Sequence, residues 1–263
     1  MASPRQRAAR WRYIQYAVLV AALLAIVLLA DWAQLRRAFF DWELVKEQFP
    51  RVLTIALKNT IIYTACGFAF GLALGLVLAL MRLSSVGPYR WLATAVIELF
   101  RGLPALVVFI ALSVGVRLAF PDRAIPFGNL GIVTLALGLV GGAYMAETIR
   151  AGIQAVPKGQ MEAARSLGMS HGRAMISVVV PQAFRIILPP LTNELILLTK
   201  DSSLVYILGL ALEGYELTKF GREGMNTAAN LTPIIVISFC YLLITVPLSI
   251  VVRRMESRAE RAR

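Results

Sequence analysis

Four stretches without a single charged side chain constrain this sequence more than anything else in it. They are Tyr13–Ala30, Asn59–Met81, Ala124–Ala146 and Gly224–Val252, of 18, 23, 23 and 29 residues. Each suits a helix of roughly 20 residues, the length that crosses ~30 Å of hydrocarbon. Two more apolar segments are interrupted by charge. Trp91–Val116 carries Glu98 and Arg101, and Ile186–Leu212 carries Glu194, Lys200 and Asp201. The pattern predicts an all-α membrane protein with about six transmembrane helices. Composition agrees: 58% of residues are hydrophobic and 16% charged, against about 25% charged in a soluble domain. A water-soluble enzyme and a disordered chain are both excluded. Cys66 and Cys240 sit in long apolar runs with no partner nearby in sequence, so neither a disulfide scaffold nor a metal cluster is expected.

The net charge of +12 suggests nucleic acid in a soluble protein, but here its distribution matters more. With the N-terminus inside, the inner segments hold 16 basic and four acidic residues, and the outer segments hold eight of each. Asp122 and Arg123 are among the outer ones. The whole excess falls on one side, as the positive-inside bias requires, and both termini are expected in the cytoplasm. The terminal run Arg253–Arg263 then sits among anionic headgroups, with no nucleic-acid partner.

An Arg-rich start before an apolar stretch also describes a signal peptide. Leu28-Leu29-Ala30 and Asp31-Trp32-Ala33 place unsuitable residues before a cleavage point, so a retained anchor is the expectation. Trp32–Arg51 mixes aromatics with balanced charge and reads as an interfacial or external helix. Gly67, Gly71 and Gly75 recur every four residues, a small-residue stripe for close helix packing. Arg101, Gly102, Leu103 and Pro104 break the third span beside a charge, which is tolerated only where protein or a watery cavity satisfies the freed backbone. Glu98, three residues before Arg101, is placed to pair with it along one helix face.

The segment Glu147–Arg185 is too polar to span and yet is not loop-like. Pro157 suits a helix start and Gly168 the position past its end, with good helix formers over Lys158–Leu167. Ala163 and Ala164 offer a smooth contact surface. Ser170 is expected to cap a second helix running to Pro181. A helix, a glycine turn and a helix between two spans can receive a push from a cytoplasmic partner; a plain amphipathic connector is the alternative.

Here the sequence resembles a family. Glu162-Ala163-Ala164, then Gly168, then Val178 and Val180-Pro181, keep the spacing of the EAA loop of ABC-importer permeases, with Val178 and Val180 in place of Ile and Leu. Lys58-Asn59-Thr60, Arg101-Gly102-Leu103-Pro104, Gly152-Ile153-Gln154, Pro157-Lys158-Gly159-Gln160, Pro181-Gln182-Ala183-Phe184-Arg185, Leu188-Pro189-Pro190 and Lys200-Asp201-Ser202-Ser203-Leu204 resemble the polar amino-acid (histidine/glutamine-type) branch. Leu103 departs from the threonine common there. The resemblance implies a five-helix type I importer core over residues 51–255, with a coupling loop at about 148–181. An N-terminal anchor and external linker (1–50) precede it and a basic tail (256–263) follows. It further implies a prokaryotic inner-membrane location, a second permease copy or related permease, a separate ABC ATPase, and an extracytoplasmic substrate-binding protein that delivers an amino acid. Pro157, Glu162, Ala163, Ala164 and Gly168 would meet the ATPase. The chain carries no Gly-x-x-x-x-Gly-Lys-Ser/Thr phosphate loop, so it is not expected to be an enzyme or to hold a cofactor.

Ionisable groups at membrane depth point to function. Glu194 and Asp201 are seven residues apart, so they lie only ~20° apart around a helix and ~10 Å along it. Two carboxylates on one cavity would hold an ammonium, with Asn193 and Ser202 as polar neighbours; pairing of Asp201 with Lys200, or capping by Ser202 and Ser203, is the competing account. In the resembled family a neutral amide is common at the position of Glu194, so its charge leans toward a cationic substrate. Glu98, Arg101, Gly102 and Pro104 are assigned to the pathway or its frame. The lone His171 is expected at the surface. Alternatives are the same architecture carrying a polyamine, sulfonate or osmolyte, and a membrane enzyme or ion-coupled carrier acting alone.

Overall fold

The computed structural model describes residues 4–121 and 126–261. Asp122, Arg123 and Arg263 lie outside the described residues, as do the side chains of residues 4–10 and 258–261. Twelve α-helices account for most of the described chain: α1 (Pro4–Leu29), α2 (Trp32–Phe39), α3 (Trp42–Gln48), α4 (Lys58–Leu83), α5 (Gly87–Gly102), α6 (Ala105–Ala119), α7 (Gly128–Gln154), α8 (Lys158–Ser166), α9 (His171–Ala174), α10 (Val180–Asp201), α11 (Leu217–Ala228) and α12 (Thr232–Arg261). Five helical runs are long and apolar enough to cross a membrane: Trp11–Leu29, Val52–Leu83, Gly128–Gln154, His171–Leu208 and Thr232–Ser257.

The remaining expected span is not one helix. α5 and α6 meet at an angle of 104°. Leu103 and Pro104 between them are extended, with ψ of 137° and 133°. Proline cannot supply the amide a continuing helix needs, and the residue before it avoids the helical region. Six spans result only when this bent pair counts as one.

α7 is the axis of the bundle. Two thirds of its apolar window (67%) is buried, and α4, α5, α6 and α10 all pack against it. The glycine stripe of α4 lies along α7, which answers with glycines of its own. A methyl group on Gly71 would sit 3.2 Å from the Gly138 carbonyl oxygen and 3.2 Å from the Gly142 nitrogen; one on Gly75 would sit 2.9 Å from the Gly142 carbonyl. Backbone thus meets backbone. Lipid gives helices no hydrophobic reason to associate, so contact of this closeness supplies the packing.

Three local expectations are corrected. Trp32–Arg51 forms two short helices, because Asp31 and Asp41 each accept backbone N–H bonds at a fresh helix start. The helix after Ser170 does not end at Pro181. A wider turn over Met175–Val179, with the Val180 N–H bonded to the Met175 carbonyl, makes room for the ring, and the helix runs on into α10. Glu98 does not pair with Arg101; it turns toward Arg82, 3.9 Å away. Arg82 in turn reaches Glu147 on α7 at 2.7 Å, and Arg150 also pairs with Glu147. An ionic cluster therefore ties α4, α5 and α7 together at the end of the bundle that bears α8.

Replacing Gly71 with leucine should lower the unfolding free energy of the purified chain by about 1–3 kcal/mol. Ala73→Leu, on an exposed part of the same helix, should leave thermal unfolding in detergent nearly unchanged.

Candidate functional site

The break between α5 and α6 opens onto a cavity of about 460 Å3. Arg101, Gly102, Leu103, Pro104 and Ala105 form one wall, Val140, Gly141 and Tyr144 of α7 the second, and Glu194, Leu197, Leu198 and Asp201 of α10 the third. Here the bent backbone borders a cavity, where its freed polar groups can be satisfied. A methyl group on Gly141 would come within 3.0 Å of both Leu198 methyl carbons, so the small residue lets α10 approach α7 and brings Glu194 and Asp201 to the cavity. The seven-residue spacing does what helix geometry requires: both carboxylates line it. Arg101 faces them from the other wall, its guanidinium carbon 5.5 Å from the centre of the Tyr144 ring.

The cavity therefore presents two carboxylates, one guanidinium and an aromatic face. A cation over an aromatic ring is attracted to it, more strongly as water is removed. Such a lining offers carboxylates to a cationic group on the α10 side and a guanidinium to an anionic group on the opposite wall.

Asn193 and Ser202 are not brought into this lining. Asn193 is exposed away from the cavity. Ser202 is fully buried and donates to the Thr199 carbonyl at 2.7 Å. Lys200 is exposed, and it forms no ion pair with Asp201 among the described residues. Glu98 lies at the ionic cluster, while Arg101, Gly102 and Pro104 are in the wall. Sequence reasoning missed Tyr144 and Gly141. Tyr144 stands three residues before Glu147 on a glycine-rich helix, and an aromatic among glycines with a charge one turn away was the available signal.

The segment between α7 and α10 begins with the expected short helix and glycine turn. Pro157 precedes α8 in an extended conformation (ψ 131°), and the helix ends at Gly168, whose φ of +84° favours glycine. The Gly168 and Met169 N–H groups bond back to the Arg165 and Ala164 carbonyls at 3.0 and 3.2 Å, closing the helix end. The Ser170 hydroxyl accepts the Arg173 N–H at 3.4 Å. Gln182 of α10 donates to Gln160 of α8 at 3.1 Å, fixing the hairpin to the span. Ala163 and Ala164 face different ways. Ala164 is buried against α9 and the turn behind it, whereas Glu162, Ala163 and Leu167 are exposed, Leu167 by 82%. His171 is at the surface.

Gly168→Val should destabilise the chain by about 1–2 kcal/mol through the left-handed backbone alone. Gly159→Ala, with open space around the added methyl, should stabilise α8 by up to about 1 kcal/mol. Thermal unfolding of the two variants side by side checks both signs.

Residues 71–261 match the family described as "Binding-protein-dependent transport system inner membrane component". The L-cystine transport system permease protein TcyB of Bacillus subtilis (strain 168) is 38% identical over 225 residues, covering 84% of this chain and 92% of that one. The probable glutamine ABC transporter permease protein GlnM of the same organism is 35% identical over 205 residues, covering 78% and 91%. Among solved structures, a crystal structure of an amino acid ABC transporter with histidines superposes with a TM-score of 0.73 at 35% identity, over 83% of this chain and 98% of that one.

Proposed function

The chain belongs to the family of binding-protein-dependent transport system inner membrane components, and on that premise we propose that it is the pathway-forming subunit of an ATP-driven amino-acid importer. Residues 51–255 are the permease core, preceded by an anchor and external linker and followed by a basic tail in the cytoplasm. The orientation rests on the charge asymmetry, which puts α8 inside. A second permease, identical or related, completes the pathway in a prokaryotic inner membrane.

One observation carries the substrate class: Glu194 and Asp201 face Arg101 across a cavity at the break in α5–α6. Every α-amino acid brings an ammonium and a carboxylate, and the lining offers a partner to each. The α-carboxylate meets Arg101, whose five donors and planar fork suit a carboxylate. The ammonium meets Glu194 and Asp201. With two negative charges against one positive, the lining also favours a substrate with a further cationic group. The names of the cystine and glutamine relatives support an amino acid as cargo.

The driving force comes from outside the chain. Nucleotide hydrolysis belongs to a separate ATPase, which receives the exposed Glu162, Ala163 and Leu167 face of α8 and the Gly168 turn. An extracytoplasmic binding protein delivers the amino acid at the opposite face. The rigid hairpin, held to α10 through Gln160 and Gln182, supports this coupling role.

The test is ATP-driven uptake by the chain reconstituted in liposomes with its ATPase and receptor, over a panel of labelled amino acids. Glu194→Gln should weaken uptake of a cationic amino acid about tenfold or more relative to a neutral one, the effect of losing a charged hydrogen bond of about 1.5–3 kcal/mol. An unchanged preference would overturn the assignment of Glu194.

A further inference from the structure

Glu216 is a carboxyl that the transport pathway does not use. It is fully buried, and no ion pair is made to it among the described residues. Its two oxygens accept the Thr218 N–H at 2.5 Å and the Lys219 N–H at 2.7 Å, capping the start of α11. The Tyr241 hydroxyl of α12 donates to it at 3.2 Å and lies 3.0 Å from the Thr218 hydroxyl. A carboxylate at a helix N-terminus is favoured by the amide donors there, but an isolated buried charge is expensive.

The neighbourhood offers no cation to offset that charge. On α11 itself, the Lys219 ammonium turns to Glu223 at 2.5 Å and over the Tyr215 ring. From α4 come Thr60, whose hydroxyl accepts the Leu217 N–H at 3.1 Å, and Tyr63, whose hydroxyl donates to the Gly214 carbonyl at 3.0 Å. From α12 comes Tyr241, and from the turn after α10 comes Ser202 beside it. Among these neighbours only hydroxyls and amides meet the carboxyl. Burial accordingly pushes Glu216 up to about 7, against the opposing pull of the Thr218, Lys219 and Tyr241 hydrogen bonds.

We propose that Glu216 is a proton-operated latch that seats α11 on the bundle. Ionised, it holds both amides of the first turn and the Tyr241 hydroxyl. Protonated, one oxygen becomes a donor and gives up an amide, so the first turn of α11 loosens. The consequence reaches the pathway through contact. α11 lies on the tight turn Ser202–Leu208, which continues α10 directly beyond Asp201. Arg222 of α11 stacks over Tyr206 of that turn at 5.0 Å. Loosening α11 therefore loosens the support behind the Asp201 end of the cavity wall, and substrate access on the α11 face varies with pH across neutrality.

The direct test needs no partner protein. Hydrogen exchange of the Thr218 and Lys219 amides is measured in the full chain in lipid nanodiscs as a pH series that includes pH 6 and pH 8, corrected for the intrinsic rate. The wild type should be about fivefold less protected at pH 6, the factor that corresponds to loss of about 1 kcal/mol of capping. Glu216→Gln, which cannot ionise, should show the low protection at both values. Equal wild-type protection at the two pH values, or a pH difference that persists in Glu216→Gln, would overturn the latch. Should Glu216→Gln fail to accumulate, Tyr241→Phe serves instead. Removing a donor to the ionised form must move the wild-type midpoint to higher pH, and an unmoved midpoint also overturns it.

Discussion

Backbone contact between α4 and α7 is the interaction on which the rest of the structure depends. Gly71 and Gly75 on one helix, and Gly138 and Gly142 on the other, leave no space for a side chain between them. In lipid, where apolar surface gains nothing by turning from tails to another helix, such closeness converts small residues into packing. It fixes α7, and α7 then positions almost everything else. Its middle brings Gly141 and Tyr144 to the cavity, its next turn brings Glu147 to Arg82 and Arg150, and its end leads into the hairpin of α8.

The second long element is α10. From His171 to Leu208 the chain is one helical run of 38 residues, interrupted by neither Pro181 nor the Pro189-Pro190 pair. At 1.5 Å per residue, His171 at its start and Glu194 lie about 35 Å apart along this run. This run connects the hairpin directly to the helix that carries the cavity's carboxylates. The broken α5–α6 pair faces it across the cavity. A continuous wall thus opposes a broken one, and Gly102 at the break has nothing within 4 Å of an added methyl.

Much of this was legible in the sequence because membrane physics leaves few solutions. Uncharged runs gave the spans, the four-residue glycine spacing gave the seam on α4, and the Gly168 turn showed itself by residue type. The seven-residue spacing of Glu194 and Asp201 was enough to put both on one cavity. What escaped notice depended on contacts distant in sequence. Glu98 looked destined for Arg101 because they are neighbours on one helix, yet Arg82 of another helix competes for it. Ser202 and Asn193 adjoin the cavity-lining residues but face elsewhere, since adjacent positions on a helix are 100° apart. Pro181 read as a helix stop because the wider turn that accommodates it leaves no mark in the residue types. Glu216 is by sequence just one of the eight acids of the outer segments; its burial arises only when α11 folds back onto Tyr241 and Thr60.

Force supplied from outside this chain is the central claim, and transport across a sealed bilayer tests it most directly. Proteoliposomes containing the permease with its receptor are loaded with ATP and given a labelled amino acid, with and without the cognate ATPase. The label should accumulate against its gradient only when the ATPase is present. Accumulation by the permease without any ATPase would contradict the account.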